Sequence, residues 1–367
     1  MEVKMKILSK AVSLSMIILI IFTLTSTTNI NTYACLNLSS NNRNIVNAAV
    51  IFFRMDDPFT MKSVESLENI AKDNKNNIKY TFFDPKNNIS VQNEMLDAVV
   101  RGNYDLIILY LSNNNENVVE DVINRVKSKN KPLILMNMPP AVVSKVYNLY
   151  NKVAFVTPDS KKAGVAQGKI IIDLWNNNKM DIDKNHDNIL QYVLLQGPTN
   201  DPQVVDRSKY AISTINDSGI KTQQLALINA GWEKDLAKNS IESLFLRYSE
   251  KIEAIISNND AMAIGAIEAL QKYGYNTGDK SKNIAVVGID GLQEAIDLID
   301  KGSMNGTVIQ DSNILAELLY NVGMNLYNNF NPIENTNYKI VDGEIIIPYP
   351  YDVYIGRSNN QSVVRGM

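Results

Sequence analysis

One cysteine, one histidine and two tryptophans are all that this chain of 367 residues holds of those three types. Cys35 has no second cysteine to pair with, so an intramolecular disulfide is excluded. His186 is the sole imidazole and lies inside a polar Asp/Asn cluster, which speaks against a Ser-His-Asp triad. There is no CxxC, no HExxH, no P-loop and no strand–GxGxxG–helix unit. Net charge is scarce as well. With 36 basic and 39 acidic side chains the balance is −3, which argues against a nucleic-acid partner, because such binding draws on dense basic surface. Beyond the N-terminal stretch no segment approaches the roughly 20 apolar residues needed to cross a bilayer.

What is present is ordinary globular material, 45% hydrophobic and 20% charged, in a length that suggests two domains. The N-terminus reads as an export signal: Lys4, Lys6 and Lys10 precede an apolar stretch over 11–24, and Thr-Tyr-Ala-Cys35 ends it. Residues 1–34 are expected to be a signal peptide and 35–47 a polar tether, too poor in apolar residues to pack. Cys35 is expected to carry a lipid; the alternative is plain cleavage after Ala34. The product is then an exported protein, surface-anchored or periplasmic, whose only hold on a membrane is that lipid.

From Val46 onward, short apolar runs alternate with helical patterns. Strands are expected over 48–53, 78–84, 106–111 and 132–136, with helices over 58–73, 91–101 and 118–126. After a run at 153–159 the alternation restarts, with helices at 161–175, 203–216, 234–246, 261–273 and 292–301. Strands are expected at 190–195, 222–228, 254–257 and 284–289. This pattern predicts an α/β protein of two doubly wound parallel-sheet lobes. Runs such as Asp105-Leu-Ile-Ile-Leu fit strands buried on both faces. Ligands of such sheets gather beyond the carboxyl ends of the strands, where Asp56-Asp57, Asn258-Asn259-Asp260 and Asp290 fall.

A pocket for a neutral sugar needs carboxylates and amides for its hydroxyls and aromatic faces for its C–H surface. Met55-Asp-Asp57-Pro-Phe59 offers both kinds, although Asp57 before Pro58, read alone, fits a helix N-cap better than a ligand. Asn259 carries the same ambiguity. Trp232 reads as a stacking face or as a core or hinge residue, and Arg207 as a ligand or a solvated helix side chain. Separately, Asp183, Asn185, Asp187 and Gln191 occupy places 1, 3, 5 and 9 of a calcium-loop spacing, with the Ile189 carbonyl at place 7. Place 12 is the apolar Leu194, so the stretch runs into a strand and its closing carboxylate must come from elsewhere. The alternative is a solvated polar turn.

Over about 300 residues the chain resembles the bacterial galactose/glucose-binding proteins, type I periplasmic binding proteins that serve ABC sugar importers. The motifs that carry the resemblance stand in one order. They are Asp56-Asp57-Pro-Phe59, Thr157-Pro-Asp-Ser160, Gln191-Tyr-Val-Leu-Leu-Gln-Gly197 and Gly219-Ile-Lys-Thr-Gln-Gln-Leu225, then Asn258-Asn-Asp-Ala-Met-Ala263, Val287-Gly-Ile-Asp290, Gly306-Thr-Val-Ile-Gln-Asp311 and Thr336-Asn-Tyr-Lys-Ile340. The resemblance implies two lobes joined by three crossings near Thr157, Gln310 and Tyr338. The N-terminal lobe would comprise 48–157 plus 311–338, the C-terminal lobe 158–310 plus 339–357, and 358–367 a tail. It implies a structural Ca²⁺ in the second lobe, with Glu253 as the missing carboxylate. For the sugar it implies Asp57 as a hydroxyl acceptor, Phe59 and Trp232 as the two stacking faces, and Arg207, Asn259 and Asp290 as polar ligands. Four positions depart from the family: Tyr110 and Gln310 stand where it has asparagine, Asp201 where it has histidine, and Gln203 where it has aspartate. These changes make another hexose, a pentose or a glycoside credible.

The expectation is therefore a non-enzymatic solute-binding protein that closes on a monosaccharide and docks on ABC permease subunits, and on a chemoreceptor in some settings. Its main rival is a sugar-sensing subunit that reports to a chemoreceptor or a membrane kinase without transport. A glycoside hydrolase built on paired carboxylates is a third reading.

Overall fold

Successive residues of the first strand face two different cores. Ala48 and Val50 join one apolar cluster, Ala49 and Ile51 another, and all four are fully buried. A strand covered on both faces needs helices on each side, and the chain supplies them by alternation. The computed structural model describes residues 45–75 and 77–356. The expected signal peptide, Cys35, most of the tether and the tail at 358–367 lie outside the described residues.

The first lobe is built from β1 (Val46–Ile51), α1 (Pro58–Asp73), β2 (Ile78–Phe83), α2 (Ile89–Arg101), β3 (Leu106–Tyr110), α3 (Glu116–Lys127), β4 (Leu133–Met136), α4 (Pro140–Val146) and β5 (Val153–Pro158). The second restarts the pattern with α5 (Ser160–Ile182), β6 (Ile189–Gln196), α6 (Pro202–Asp217), β7 (Lys221–Asn229) and α7 (Lys234–Tyr248). It continues with β8 (Ala254–Ser257), α8 (Asp260–Lys272), β9 (Ala285–Asp290), α9 (Gln293–Asp300) and β10 (Gly306–Ile309). Then follow α10 (Ser312–Tyr327), β11 (Lys339–Val341), β12 (Glu344–Ile347) and β13 (Val353–Tyr354).

Two sheets result, ordered β2-β1-β3-β4-β5-β12-β11 and β7-β6-β8-β9-β10-β13. All pairings are parallel except the hairpin β11–β12 and the edge pair β10–β13. The first five strands of each sheet follow the same 2-1-3-4-5 order, so each lobe has its switch point between its first and third strands, where flanking helices leave a crevice. The α/β fold of two doubly wound lobes is thus the one the alternation predicts.

The chain passes between the lobes after β5, where Pro158 leads into α5, and after β10, where Gln310 leads into α10. The third passage is not at Tyr338. β11 and β12 pair onward to β5, Ile346 opposite Thr157, so residues 339–347 belong to the first lobe and only β13 returns to the second. Each strand of that hairpin has at most four residues, and all of β11 is exposed, which leaves no hydrophobic alternation to assign it by. Among the described residues, no helix is long and apolar enough to cross a membrane.

Candidate functional site

A cavity of about 80 Å³, several times the space a single water needs, lies between the lobes at the carboxyl ends of both sheets. Tyr110 and Pro158 end β3 and β5, Asn137 follows β4, Asp290 ends β9, Gln310 follows β10 and Ile347 ends β12. Nine of the ten residues expected to meet a sugar line it: Asp57, Phe59, Tyr110, Gln203, Arg207, Trp232, Asn259, Asp290 and Gln310. Asp201 does not reach the wall. It stands one shell back, where its Oδ2 accepts the Tyr110 hydroxyl at 2.7 Å.

Cap and ligand prove to be compatible roles. Asp57 caps α1, with Oδ1 accepting from Thr60 N at 2.8 Å and Thr60 Oγ1 at 3.0 Å. Its second oxygen is not used by the cap. Asn259 caps α8 through Met262 N at 3.0 Å and donates its amide to the Trp232 carbonyl at 3.4 Å. Burial pushes the Asp57 carboxyl above the usual carboxylate range, against the pull of the Thr60 bonds and Arg54. Asp290 is pushed up further, again by burial, with the Arg207 guanidinium opposing.

Arg207 organises the polar wall. It is 3% exposed and only donates, so every group that meets it must present an oxygen. Nη1 donates to the Asn258 carbonyl at 2.7 Å, and Nη2 to Gln203 Oε1 at 2.7 Å and Gln310 Oε1 at 3.0 Å. Turning the Gln310 oxygen inward leaves its Nε2 buried without a partner on the cavity wall, a donor that asks for a ligand acceptor. Asn137 Oδ1 is a buried acceptor in the same condition. Unmet buried groups of both kinds suit a hydroxyl, which donates and accepts.

The aromatic faces come from opposite lobes, Phe59 from the first turn of α1 and Trp232 from the loop after β7. Trp232 holds a left-handed backbone at φ 68°, and its ring lies against Gly197, where a Cβ would come within 2.2 Å of it. Asp290 sits at φ 134°, also unfavourable for a side-chain-bearing residue. Such strain costs on the order of 1–3 kcal/mol and persists where surroundings impose it, as at ligand clamps. Sequence reasoning missed Phe52, Phe53, Asn137 and Tyr349 among the lining residues. Asn137 carried one usable signal, its place directly after a fully buried strand.

The Asp/Asn loop lies away from this cavity. Asp183 and Glu253 are 3% and 1% exposed, while Asn185 and Asp187 face solvent. Glu253 Oε1 accepts from Lys184 N at 2.8 Å and Oε2 from Gln191 N at 2.9 Å, so the distant glutamate ties down the backbone at both ends of the loop. His186 and Asn188 take the left-handed backbone that folds the turn tightly. Burial, with Asp183 and Asp187 adding, pushes the Glu253 carboxyl up to about 7. Among the described residues no three His, Cys, Asp or Glu side chains form a ready metal site. Half of the six candidate donors, however, are amide or peptide oxygens. The amide nitrogens of Asn185 and Gln191 point at Asp187 Oδ2, at 3.0 and 2.8 Å, while Asp183 Oδ1 and Gln191 Oε1 are buried without partners. Rotating the amides by half a turn would present oxygens instead, and that donor set fits a hard cation.

The periplasmic binding protein domain model matches residues 48–329. Over 301 residues the chain is 31% identical to the D-galactose/methyl-galactoside binding periplasmic protein MglB of Haemophilus influenzae, covering 82% of this chain and 87% of that one. The chain belongs to the periplasmic sugar-binding protein family. It is accordingly a binding protein and not an enzyme. It is also 25% identical to a xylitol-binding protein of Mycolicibacterium smegmatis over 256 residues, 70% of this chain and 65% of that one. Among solved structures a galactofuranose binding protein aligns with TM-score 0.69 at 17% identity, over 84% of this chain and 94% of that one, a likeness of fold.

Proposed function

We propose that this chain captures one monosaccharide between its lobes and delivers it to an ABC importer. The observation that carries the reading is the cavity at the paired strand ends, with Phe59 and Trp232 from opposite lobes and the unmet Gln310 Nε2 and Asn137 Oδ1. The relatives' names, a galactoside binder and a xylitol binder, point to a polyhydroxylated ligand of this size. Because ligand contacts come from both lobes, binding favours the closed arrangement, and closure is the signal a permease reads.

We further propose that Asp183, Asn185, Asp187, the Ile189 carbonyl, Gln191 and Glu253 hold a structural Ca²⁺. The ion would neutralise the buried Asp183 and Glu253 carboxylates; the sugar chemistry does not involve it.

A thermal-shift panel of monosaccharides tests the main reading, since a ligand that binds only the folded state raises its melting temperature. At least one pentose or hexose should raise it by several degrees at millimolar concentration. A flat panel in calcium-containing buffer contradicts the reading.

A further inference from the structure

Tyr110, Asp201 and Gln203 depart from the family pattern, and in the structure they bond to one another beside a fourth side chain, Asn137. The Asp201 carboxylate accepts from the Tyr110 hydroxyl at 2.7 Å, from Gln203 N at 2.9 Å and from the Trp232 side chain. A carboxylate so placed only accepts, so the one phenol proton is spent on it. The Tyr110 oxygen can then meet other groups only as an acceptor. Gln203 Nε2 approaches it at 3.5 Å, and Asn137 hydrogen-bonds it as well. An asparagine can give such an oxygen only its amide N–H, which decides the orientation of the amide and turns Oδ1 away from the phenol. That Oδ1 is buried, has no partner, and belongs to a residue on the cavity wall. The backbone is pinned on both sides of this contact. Asn137 follows β4 at φ 55°, its N–H bonded to the Val156 carbonyl at 2.9 Å, and Gln92 Nε2 holds the Tyr110 carbonyl at 2.8 Å. The Tyr110 ring packs on Phe53, centroids 5.0 Å apart.

We infer that Asn137 binds the sugar directly, as the acceptor for one hydroxyl proton, and that Tyr110 is a positioning residue that keeps the Asn137 oxygen facing the cavity. This rests on the monosaccharide reading above. Tyr110 acts through Asn137, because Asp201 already takes the proton its own hydroxyl could offer a ligand. An acceptor fixed in this way selects a sugar with a free hydroxyl at that position. Hydrogen or fluorine there brings no proton to Oδ1, and the buried acceptor stays unmet, a loss of about five- to a hundredfold in affinity. Gln310 Nε2, left as a donor by the bond of its Oε1 to Arg207, makes the opposite demand on the ligand.

Dissociation constants from tryptophan fluorescence test this on wild type, Asn137→Gly and Tyr110→Phe. The probes are the tightest binder of a panel of aldohexoses and aldopentoses and its monodeoxy and monodeoxyfluoro derivatives. Glycine suits φ 55°, and phenylalanine keeps the ring on Phe53. On wild type, at least one ring position should lose about fivefold or more in both derivatives relative to the parent sugar. Asn137→Gly should lower that penalty severalfold at one such position and leave the others near wild type. Tyr110→Phe frees the amide and should lower the penalty at the same position, even as the lost contact to Asp201 weakens all affinities alike. Penalties that stay unchanged at every position in either variant overturn the inference. Should Asn137→Gly bind no sugar, Tyr110→Phe decides alone. If no sugar of the panel binds wild type, the monosaccharide reading itself fails, and this inference with it.

Discussion

Trp232 shows how much one residue is asked to do. Its ring lies on Gly197, its carbonyl meets Asn259 and Arg54, and Arg207 sits 5.5 Å over its face. Trp232→Ala should weaken sugar binding at least tenfold in titration calorimetry while the far-UV dichroism stays native. Gly197→Ala should reproduce much of that loss without deleting an aromatic, because the new methyl displaces the ring. Glu344 is a second telling residue. It is 4% exposed, its Oε1 has no partner, and burial, with Asp342 adding, pushes its carboxyl up to about 7 from 4.5. A raised carboxyl contributes stability below about pH 4.5 and loses it as pH rises through about 7. Glu344→Gln should therefore match wild type near pH 4.5 and exceed it by on the order of 2–3 kcal/mol at pH 8 in denaturant titrations. Equal stability at both pH values would place the carboxyl in an ordinary environment.

At the scale of elements, the Asp/Asn loop between α5 and β6 joins a helix C-terminus to a central strand and is closed by Glu253 at the foot of β8. With two buried carboxylates facing one another, removal of divalent ions should lower the melting temperature. Calcium should restore it, and Glu253→Ala should abolish the calcium response. A melting temperature indifferent to chelator and calcium would leave the loop as a hydrogen-bonded turn. The elements themselves were readable wherever burial imposed a period. β3 and β4, apolar between turn residues, stand where the runs predict them, β1 begins two residues earlier than its run, at Val46, and Asp57 and Asn259 mark helix starts by cap chemistry. The hairpin β11–β12 escaped because its strands are short and half-exposed, with nothing in their pattern to say which sheet they join. Asn137 and Tyr349 escaped because a residue's approach to the cavity is set by strands that meet only in the folded sheet. The tie between Tyr110 and Asp201 could not be read from two positions 91 residues apart.

For the whole molecule, the lobes meet through direct contacts between protein groups: Tyr110 with Asp201, Arg54 with Glu233 at 2.8 Å, and Asn114 with the Asn200 carbonyl at 3.3 Å. Contacts that form only on closure shift the open–closed balance toward the closed form, so part of the closing energy is independent of ligand. Glu233→Ala should then bind the same sugars more weakly, by about two- to fivefold as expected for a half-exposed ion pair, with no change in their ranking. A changed ranking would mean that this pair shapes the cavity itself. The central claim is that the space between the lobes holds one monosaccharide. Titration calorimetry of the mature protein with pentoses, 6-deoxyhexoses and hexoses tests it most directly. The predicted result is saturable heat with one sugar per chain. Folded protein that gives no heat with any monosaccharide would contradict it.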